Sequence, residues 1–394
     1  MTVPTLDDVP LRDDLRGKTP YGAPQWDVAV RLNTNENSYP VPPDVVASIV
    51  AEVAEVAGTL NRYPDREFTA LREALAAYLS SVAGRAVAAE QIWAGNGSNE
   101  VLQHIFQAFG GPGRTALGFT PAYSMHPIIA SVTATAWVDG VRGSDRPDGV
   151  RDFDLSPDQA IAQLRELRPD LVFLVSPNNP TGTALDLDVV AAVLDEVRAS
   201  GHGLVVVDEA YAEFARTGTP SALSLLDEHP AGGRLIVSRT MSKAFALAGA
   251  RLGYLAAQPA VCDALRLVRL PYHLSALTQA AARAALGHAD QLLSTVEAIK
   301  AQRDRIVEEL PALGLRPVPS DANFVLFGGL DDEKVTWQGL VERGVLIRDM
   351  GIAHHLRVTA GTEPETTAFL TALGELQAGE AGSTQTKRPD EELT

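Results

Sequence analysis

The sequence predicts an α/β fold: a large domain with a mainly parallel sheet covered by helices, and a smaller α+β domain. Three observations predict it. Nearly continuous aliphatic runs at 171–175, 204–207 and 235–237 alternate with segments of helical spacing at 157–168 and 187–199, the pattern of strands buried on both faces. From about residue 276 the pattern changes to a long helical stretch followed by short strands. The polar residues with chemistry in them follow directly on aliphatic runs, at the carboxyl edge where open parallel sheets bind ligands.

Residues 1–42, rich in Pro, Asp and Asn and weakly periodic, read as an arm that other parts of the protein must hold; it is expected to join the small domain. Val, Ala and Leu at helical spacing predict helices over 43–57 and 67–83. The large domain is expected over 43–275. The small one, over 276–377, contains a helical stretch from 277 to 310 broken near Gly287, strands at 324–327, 345–347 and 356–359, and a last helix near 364–377. Residues 378–394, polar and almost without apolar side chains, read as a disordered tail.

The 394 residues carry 33 Lys+Arg against 50 Asp+Glu, a net charge of −17. That balance argues against a sequence-independent grip on nucleic acid or an anionic membrane, which needs concentrated basic charge. A small anion, which needs only a local cluster of donors, is not excluded. Cys262 stands alone in an apolar helical stretch and reads as a core residue. No signal-peptide pattern and no uncharged span long enough for a bilayer is present, so the expectation is a cytoplasmic protein. No Cys/His cluster has zinc spacing, and no metal is expected.

Four segments carry the chemistry. Ser176-Pro-Asn-Asn-Pro-Thr-Gly182 follows the 171–175 run; it can be a plain turn, or a rigid one that aims an amide. Asp208 ends an aliphatic run and is followed by Glu209 and Tyr211; an acid there is costly to bury without a partner. Lys243 follows the 235–237 run among small hydroxyl residues and an apolar stretch, with Arg251 eight residues on. Desolvation at such a place lowers a lysine pKa and frees the amine as a nucleophile. Gly95-Asn-Gly-Ser-Asn-Glu100 opens a helix, where bare N–H groups can cup an anion, although Ser98 or Asn99 could equally be an ordinary cap. Together these parts suit a phosphorylated aromatic cofactor held by a Schiff base, for which pyridoxal 5′-phosphate is the natural candidate.

The motifs Ser-Pro-Asn-Asn-Pro-Thr-Gly, Asp-Glu-Ala-Tyr and Ser-Lys-Ala-Phe followed by Gly-Ala-Arg resemble the fold-type I pyridoxal-phosphate-dependent aminotransferases of the class I/II group. More narrowly, the chain resembles the histidinol-phosphate aminotransferase branch in its actinobacterial form. The likeness extends through Thr19-Pro-Tyr-Gly22, Leu32-Asn-Thr-Asn-Glu-Asn37, Asn61-Arg-Tyr-Pro-Asp65, Pro121-Ala-Tyr123, Pro271-Tyr-His-Leu-Ser275, Gly344-Val-Leu-Ile-Arg348 and Leu356-Arg-Val-Thr359. Ser38 stands where Pro is common, and Ser98-Asn99 where many relatives carry an Ala-Asp pair; backbone donors make neither change damaging.

The resemblance implies that Lys243 links to the cofactor and shuttles a proton, that Asp208 pairs with the ring nitrogen, and that Asn179 and Tyr211 hydrogen-bond the ring oxygen. It implies that Tyr123 stacks on the ring. It gives Ser98, Asn99, Thr240, Ser242 and Arg251 to the phosphate, with Tyr63 reaching in from the second subunit of a homodimer. Arg357, assisted by Arg348 and Tyr21, would grip the substrate anion. The implied reaction is transamination of L-histidinol phosphate with 2-oxoglutarate. The alternatives are an aromatic-amino-acid aminotransferase, a lyase or decarboxylase of the same fold, and, remotely, a non-catalytic cofactor-sensing regulator. His126 and His273 fall within the similar segments and are candidates for the pocket; His354 and His355 read as solvated loop residues, and Glu209 as a support for the turn after Asp208.

Overall fold

The computed structural model of the chain describes residues 5–144 and 152–384. Seven strands form the large sheet: β1 (Ile92–Asn96), β2 (Thr115–Thr120), β3 (Ala136–Val141), β4 (Leu171–Val175), β5 (Leu204–Asp208), β6 (Leu235–Thr240) and β7 (Leu252–Ala257), in the order β1-β7-β6-β5-β4-β2-β3. All run parallel except β7, which is antiparallel to both its neighbours. Every residue of β4 is buried, which is why this strand reads as a continuous rather than an alternating apolar run, and β6 is buried throughout as well, its polar second half included. The helix Pro157–Leu167 starts on the Ser156 hydroxyl, which accepts from the Gln159 N–H, with Pro157 in the first turn.

Register decides what this sheet presents. Val175 pairs with Asp208, and Asp208 with Ser238, so three strands end side by side. Side chains alternate across a strand. Ser238 bonds Asp208 on one face, whereas Arg239 and Glu209 meet on the other. There Arg239 donates to Glu209 Oε2 at 2.7 and 3.1 Å and to Glu213 Oε1 at 3.2 Å, with none of the three side chains more than 7% exposed. Glu209 also accepts from the Ser221 hydroxyl and the Ala222 N–H. It therefore does more than support its own turn: it pins β6 and the 221–222 segment to the end of β5.

The second sheet is antiparallel, in the order Arg348–Asp349, His355–Thr359, Phe324–Gly328, Arg316–Pro317. The arm joins the small domain through Val30–Arg31, which pairs in parallel with Val345–Leu346 as a separate two-stranded sheet, and through Leu32, buried in the same core. The change from one core to the other falls within the helix Ala289–Glu309, where Leu292 belongs to the first and Val296 to the second. The helix Ala276–Leu286, which follows the boundary expected at 276, packs Ala282 and Ala285 into the large core. The last helix, Glu363–Thr384, continues through residues 378–384, which composition alone assigns to the tail; the rest of that expected tail lies outside the described residues. Cys262 is buried in the large core, where burial pushes its thiol up to about 12. Among the described residues no helix is long and apolar enough to cross a membrane.

Replacing Arg239 by Met would leave the Glu209 and Glu213 carboxylates buried without their cation. The expected cost is about 3–5 kcal/mol of stability, read as a lower urea midpoint; an unchanged midpoint would contradict the role given to this cluster.

Candidate active site

A cleft of about 440 Å³ opens between the carboxyl ends of the large sheet's strands, the arm and the small sheet. Of the residues singled out from sequence, Tyr21, Ser98, Asn99, Tyr123, Asn179, Asp208, Tyr211, Thr240, Ser242, Lys243, Arg251, Arg348 and Arg357 all line it. Tyr63 does not. It is 79% exposed and stacks on Tyr272, ring centroids 4.4 Å apart, on the outer surface.

At the floor, Asp208 is 3% exposed. Its Oδ1 accepts from the Ser238 hydroxyl at 3.0 Å, and its Oδ2 lies 3.3 Å from Nε2 of the fully buried His126. His126 follows Tyr123 by three residues, and the two rings meet edge to face at 5.4 Å. The sequence offered His126 as a pocket residue; it stands instead behind the pocket, against the acid. His273 lies off the cleft too, stacked on Trp93 and bonded to the Ala94 carbonyl.

At one end, the helix Ser98–Phe109 points its N-terminus at the cleft. Two glycines make this end possible. A Cβ on Gly97 (φ +81°) would sit 2.3 Å from Arg251 Nη2, and one on Gly253 would sit 2.1 Å from the Ser98 nitrogen. Without those carbons the guanidinium and the helix N-terminus converge on one point, a built place for an anion.

At the other end, register again places the charges: Arg348 pairs directly with Arg357 across two antiparallel strands. Arg357 is 5% exposed. It donates to Asn179 Oδ1 and, at 2.9 Å, to the Asn33 carbonyl, and lies over the Phe324 ring. Burial and the neighbouring Arg348 lower its pKa to about 10. Its Nε has no partner among the described residues.

Between the two ends, Lys243 donates to the Thr34 carbonyl at 2.9 Å. Desolvation, followed by repulsion from Arg357 and Arg251, lowers its pKa to about 8 against the opposing pull of Glu36. Tyr211 is buried, and its hydroxyl accepts from Asn35 Nδ2 at 3.0 Å. Burial raises the pKa of both Tyr211 and Tyr123, so both hydroxyls keep their protons as donors. The arm residues Asn33, Thr34, Asn35 and Glu36 were missed as site residues. Nothing in their spacing says that a weakly periodic segment crosses the site; the signal available was that Leu32-Asn-Thr-Asn-Glu-Asn37 falls among the segments of family resemblance.

These parts fit pyridoxal 5′-phosphate. The glycine-lined anion site beside Arg251 matches its phosphate, the Asp208 carboxylate its ring N–H, the Tyr123 ring its face, and an amine with a lowered pKa its aldehyde. The sequence between residues 28 and 373 matches the model of the aminotransferase class I and II family, and the chain belongs to that family. It is 61% identical over 373 residues to the histidinol-phosphate aminotransferase of Frankia casuarinae, covering 95% of this chain and 91% of that one. It is 62% identical over 376 residues to the histidinol-phosphate aminotransferase of Paenarthrobacter aurescens, covering 95% and 97%. Among solved structures it is similar to the histidinol-phosphate aminotransferase of Sinorhizobium meliloti in complex with pyridoxal 5′-phosphate, with TM-score 0.75 and 26% identity over 90% of this chain and 92% of that one.

With a pKa of about 8, about half of the Lys243 amine is neutral at pH 8, against about 0.4% of an ordinary lysine. In cofactor-free protein, acylation of Lys243 followed by peptide mapping should rise with a midpoint near pH 8. Removing the Arg357 charge as Arg357→Gln should move that midpoint upward. A midpoint near 10 in the unmodified protein would contradict the electrostatics described.

Proposed function

We propose that this chain is a pyridoxal-phosphate-dependent transaminase that converts L-histidinol phosphate and 2-oxoglutarate to imidazole-acetol phosphate and glutamate, a step of histidine biosynthesis carried out in the cytoplasm. The observation that carries the substrate is the likeness, at 61–62% identity over 95% of the chain, to two histidinol-phosphate aminotransferases. The cleft gives that reading physical sense. One substrate bears a phosphate ester and no α-carboxylate, the other two carboxylates, and both must be held at the same place. Two planar guanidiniums side by side, Arg348 and Arg357, suit both anions.

When bound, pyridoxal 5′-phosphate supplies an electron sink conjugated to the substrate's α-carbon and a carbonyl that carries the amino group between substrates. The chain's own residues do the rest. The N–H groups of Ser98 and Asn99, with Thr240, Ser242 and Arg251, hold the phosphate. Asp208, itself fixed by Ser238 and His126, keeps a proton on the ring nitrogen. Asn179 and Tyr211 donate to the ring oxygen, and Tyr123 covers one face. Lys243, whose amine faces the cleft with a lowered pKa, would hold the aldehyde end of the cofactor and, as a free amine, would carry a proton from and back to the substrate. Arg357 and Arg348 orient the substrate so that this proton faces Lys243, and Tyr21 closes over it.

The chain works as a homodimer in this reading. Tyr63 stacks on Tyr272, and Leu267 (87% exposed) and Leu270 (76% exposed), close before Tyr272 in the chain, are exposed too, apolar surface suited to a second copy. Tyr63 would then complete the phosphate site of the partner subunit.

Glutamate should appear only when histidinol phosphate and 2-oxoglutarate are both supplied; turnover without a 2-oxoacid would identify a lyase or decarboxylase instead. Lys243→Ala should abolish turnover with the fold intact by circular dichroism, and retained activity would sink the mechanism. Arg357→Ala should weaken both substrates, by roughly tenfold or more for each lost charge-assisted contact, while cofactor binding persists. In light scattering the protein should have twice the chain mass, and Tyr63→Phe should weaken cofactor retention; a monomer with full activity would refute the shared site.

A further inference from the structure

The hydroxyl of Tyr211 can meet its neighbours with its proton in either direction, and only one direction serves a transaminase that holds its cofactor in this cleft. The residue that decides is Asn35. It is 2% exposed and sits at φ +56°, a left-handed conformation that Asn tolerates better than most side chains. Four hydrogen bonds hold it: its N–H donates to Thr359 Oγ1 at 3.1 Å, Thr359 Oγ1 donates to its Oδ1 at 3.0 Å, its carbonyl accepts from Asn323 Nδ2 at 3.1 Å, and its Nδ2 donates to the Tyr211 hydroxyl oxygen at 3.0 Å.

The direction of each bond follows from donor and acceptor inventory. The Asn35 backbone N–H takes a lone pair of Thr359 Oγ1, so the threonine's proton goes to the amide oxygen of Asn35. That orients the amide and leaves NH₂ facing Tyr211. A donor facing Tyr211 occupies its oxygen lone pair and turns the phenol's own proton away, into the cleft. Asn179 is set by the same logic, because Arg357 donates to its Oδ1 and leaves its NH₂ free. Two donors thus face the cleft that holds Lys243.

We infer that Asn35 is a positioning residue: it fixes the direction of the Tyr211 proton so that Tyr211 donates to the cofactor's ring oxygen, an assignment that rests on the transaminase reading of the cleft. Thr34, the neighbouring residue, turns its carbonyl to the Lys243 amine at 2.9 Å, so the same locked segment also holds the amine when it is free. A donor on the ring oxygen stabilises the form in which the cofactor–lysine linkage has lost its proton, and so lowers the pH midpoint of its colour change. The other charged and titratable groups around the Tyr211 hydroxyl are Lys243, Arg357, Asp208, Tyr21 and Tyr123, and none is altered by changing Asn35.

The test is a spectrophotometric pH titration of the holoenzyme and of Tyr211→Phe, Asn35→Ala and the double variant. Tyr211→Phe should raise the midpoint, Asn35→Ala should raise it by about one pH unit, and the double variant should sit no higher than Tyr211→Phe alone. Should Asn35→Ala fail to fold, Asn35→Asp keeps the shape but turns an acceptor towards Tyr211; its rise must shrink by at least half in the Tyr211→Phe background. An Asn35 variant with the unmodified midpoint, or a shift undiminished in Tyr211→Phe, overturns the inference. No linkage absorbance at all, or a Tyr211→Phe midpoint equal to that of the unmodified protein, overturns instead the transaminase reading on which it rests.

Discussion

Asp208 sits 3% exposed at the end of a strand whose other four residues are aliphatic, and the rest of the site is arranged around keeping a carboxylate there. A buried acid without partners would be several kcal/mol uphill. Ser238 and His126 supply those partners, and each comes from a different element: the neighbouring strand in register and the helix Met125–Val132. The same register that puts Ser238 beside Asp208 puts Arg239 beside Glu209 on the opposite face, where a second buried charge cluster ties the strand ends together. One alignment therefore builds the reactive face and braces it from behind.

The charge of the molecule runs opposite to the charge of its cleft. A chain of net charge −17 lines one cleft with Lys243, Arg251, Arg348 and Arg357 against Asp208 and Glu36. Concentrating cations in a partly enclosed place has two effects. It makes the place attractive to anions at both ends, and it makes the ammonium of Lys243 uncomfortable enough to give up its proton near pH 8. Anion recognition and amine activation are therefore not separate provisions. The arginine that would hold the substrate is also the second cause, after burial, of the lysine's lowered pKa.

Much of this was legible in the sequence, for identifiable reasons. Strands buried on both faces announce themselves as aliphatic runs, and Leu171–Val175 is a strand with those bounds. The residues that follow such runs, Asn179, Asp208, Tyr211 and Lys243, share one cleft because parallel strands share one carboxyl edge. What was not legible depends on long-range contact. Asn35 meets Thr359 across 324 positions, and no local pattern records that. His126 lies three residues after Tyr123, at the start of the helix Met125–Val132, but only the fold shows that its ring looks at Asp208. The helix Ala276–Leu286 is built largely of alanine, whose weak hydrophobic signal left its allegiance to the large core unread.

On this account the cleft is built for an amine that carries an anion at the distance of the Arg348–Arg357 pair. Mixing the holoenzyme separately with histidinol phosphate and with phenylalanine, without any 2-oxoacid, and following the loss of the cofactor–lysine absorbance tests it directly. Histidinol phosphate should discharge that absorbance much faster at equal concentration. Faster discharge by phenylalanine would contradict the assignment and mark the protein as an aromatic-amino-acid aminotransferase of the same fold.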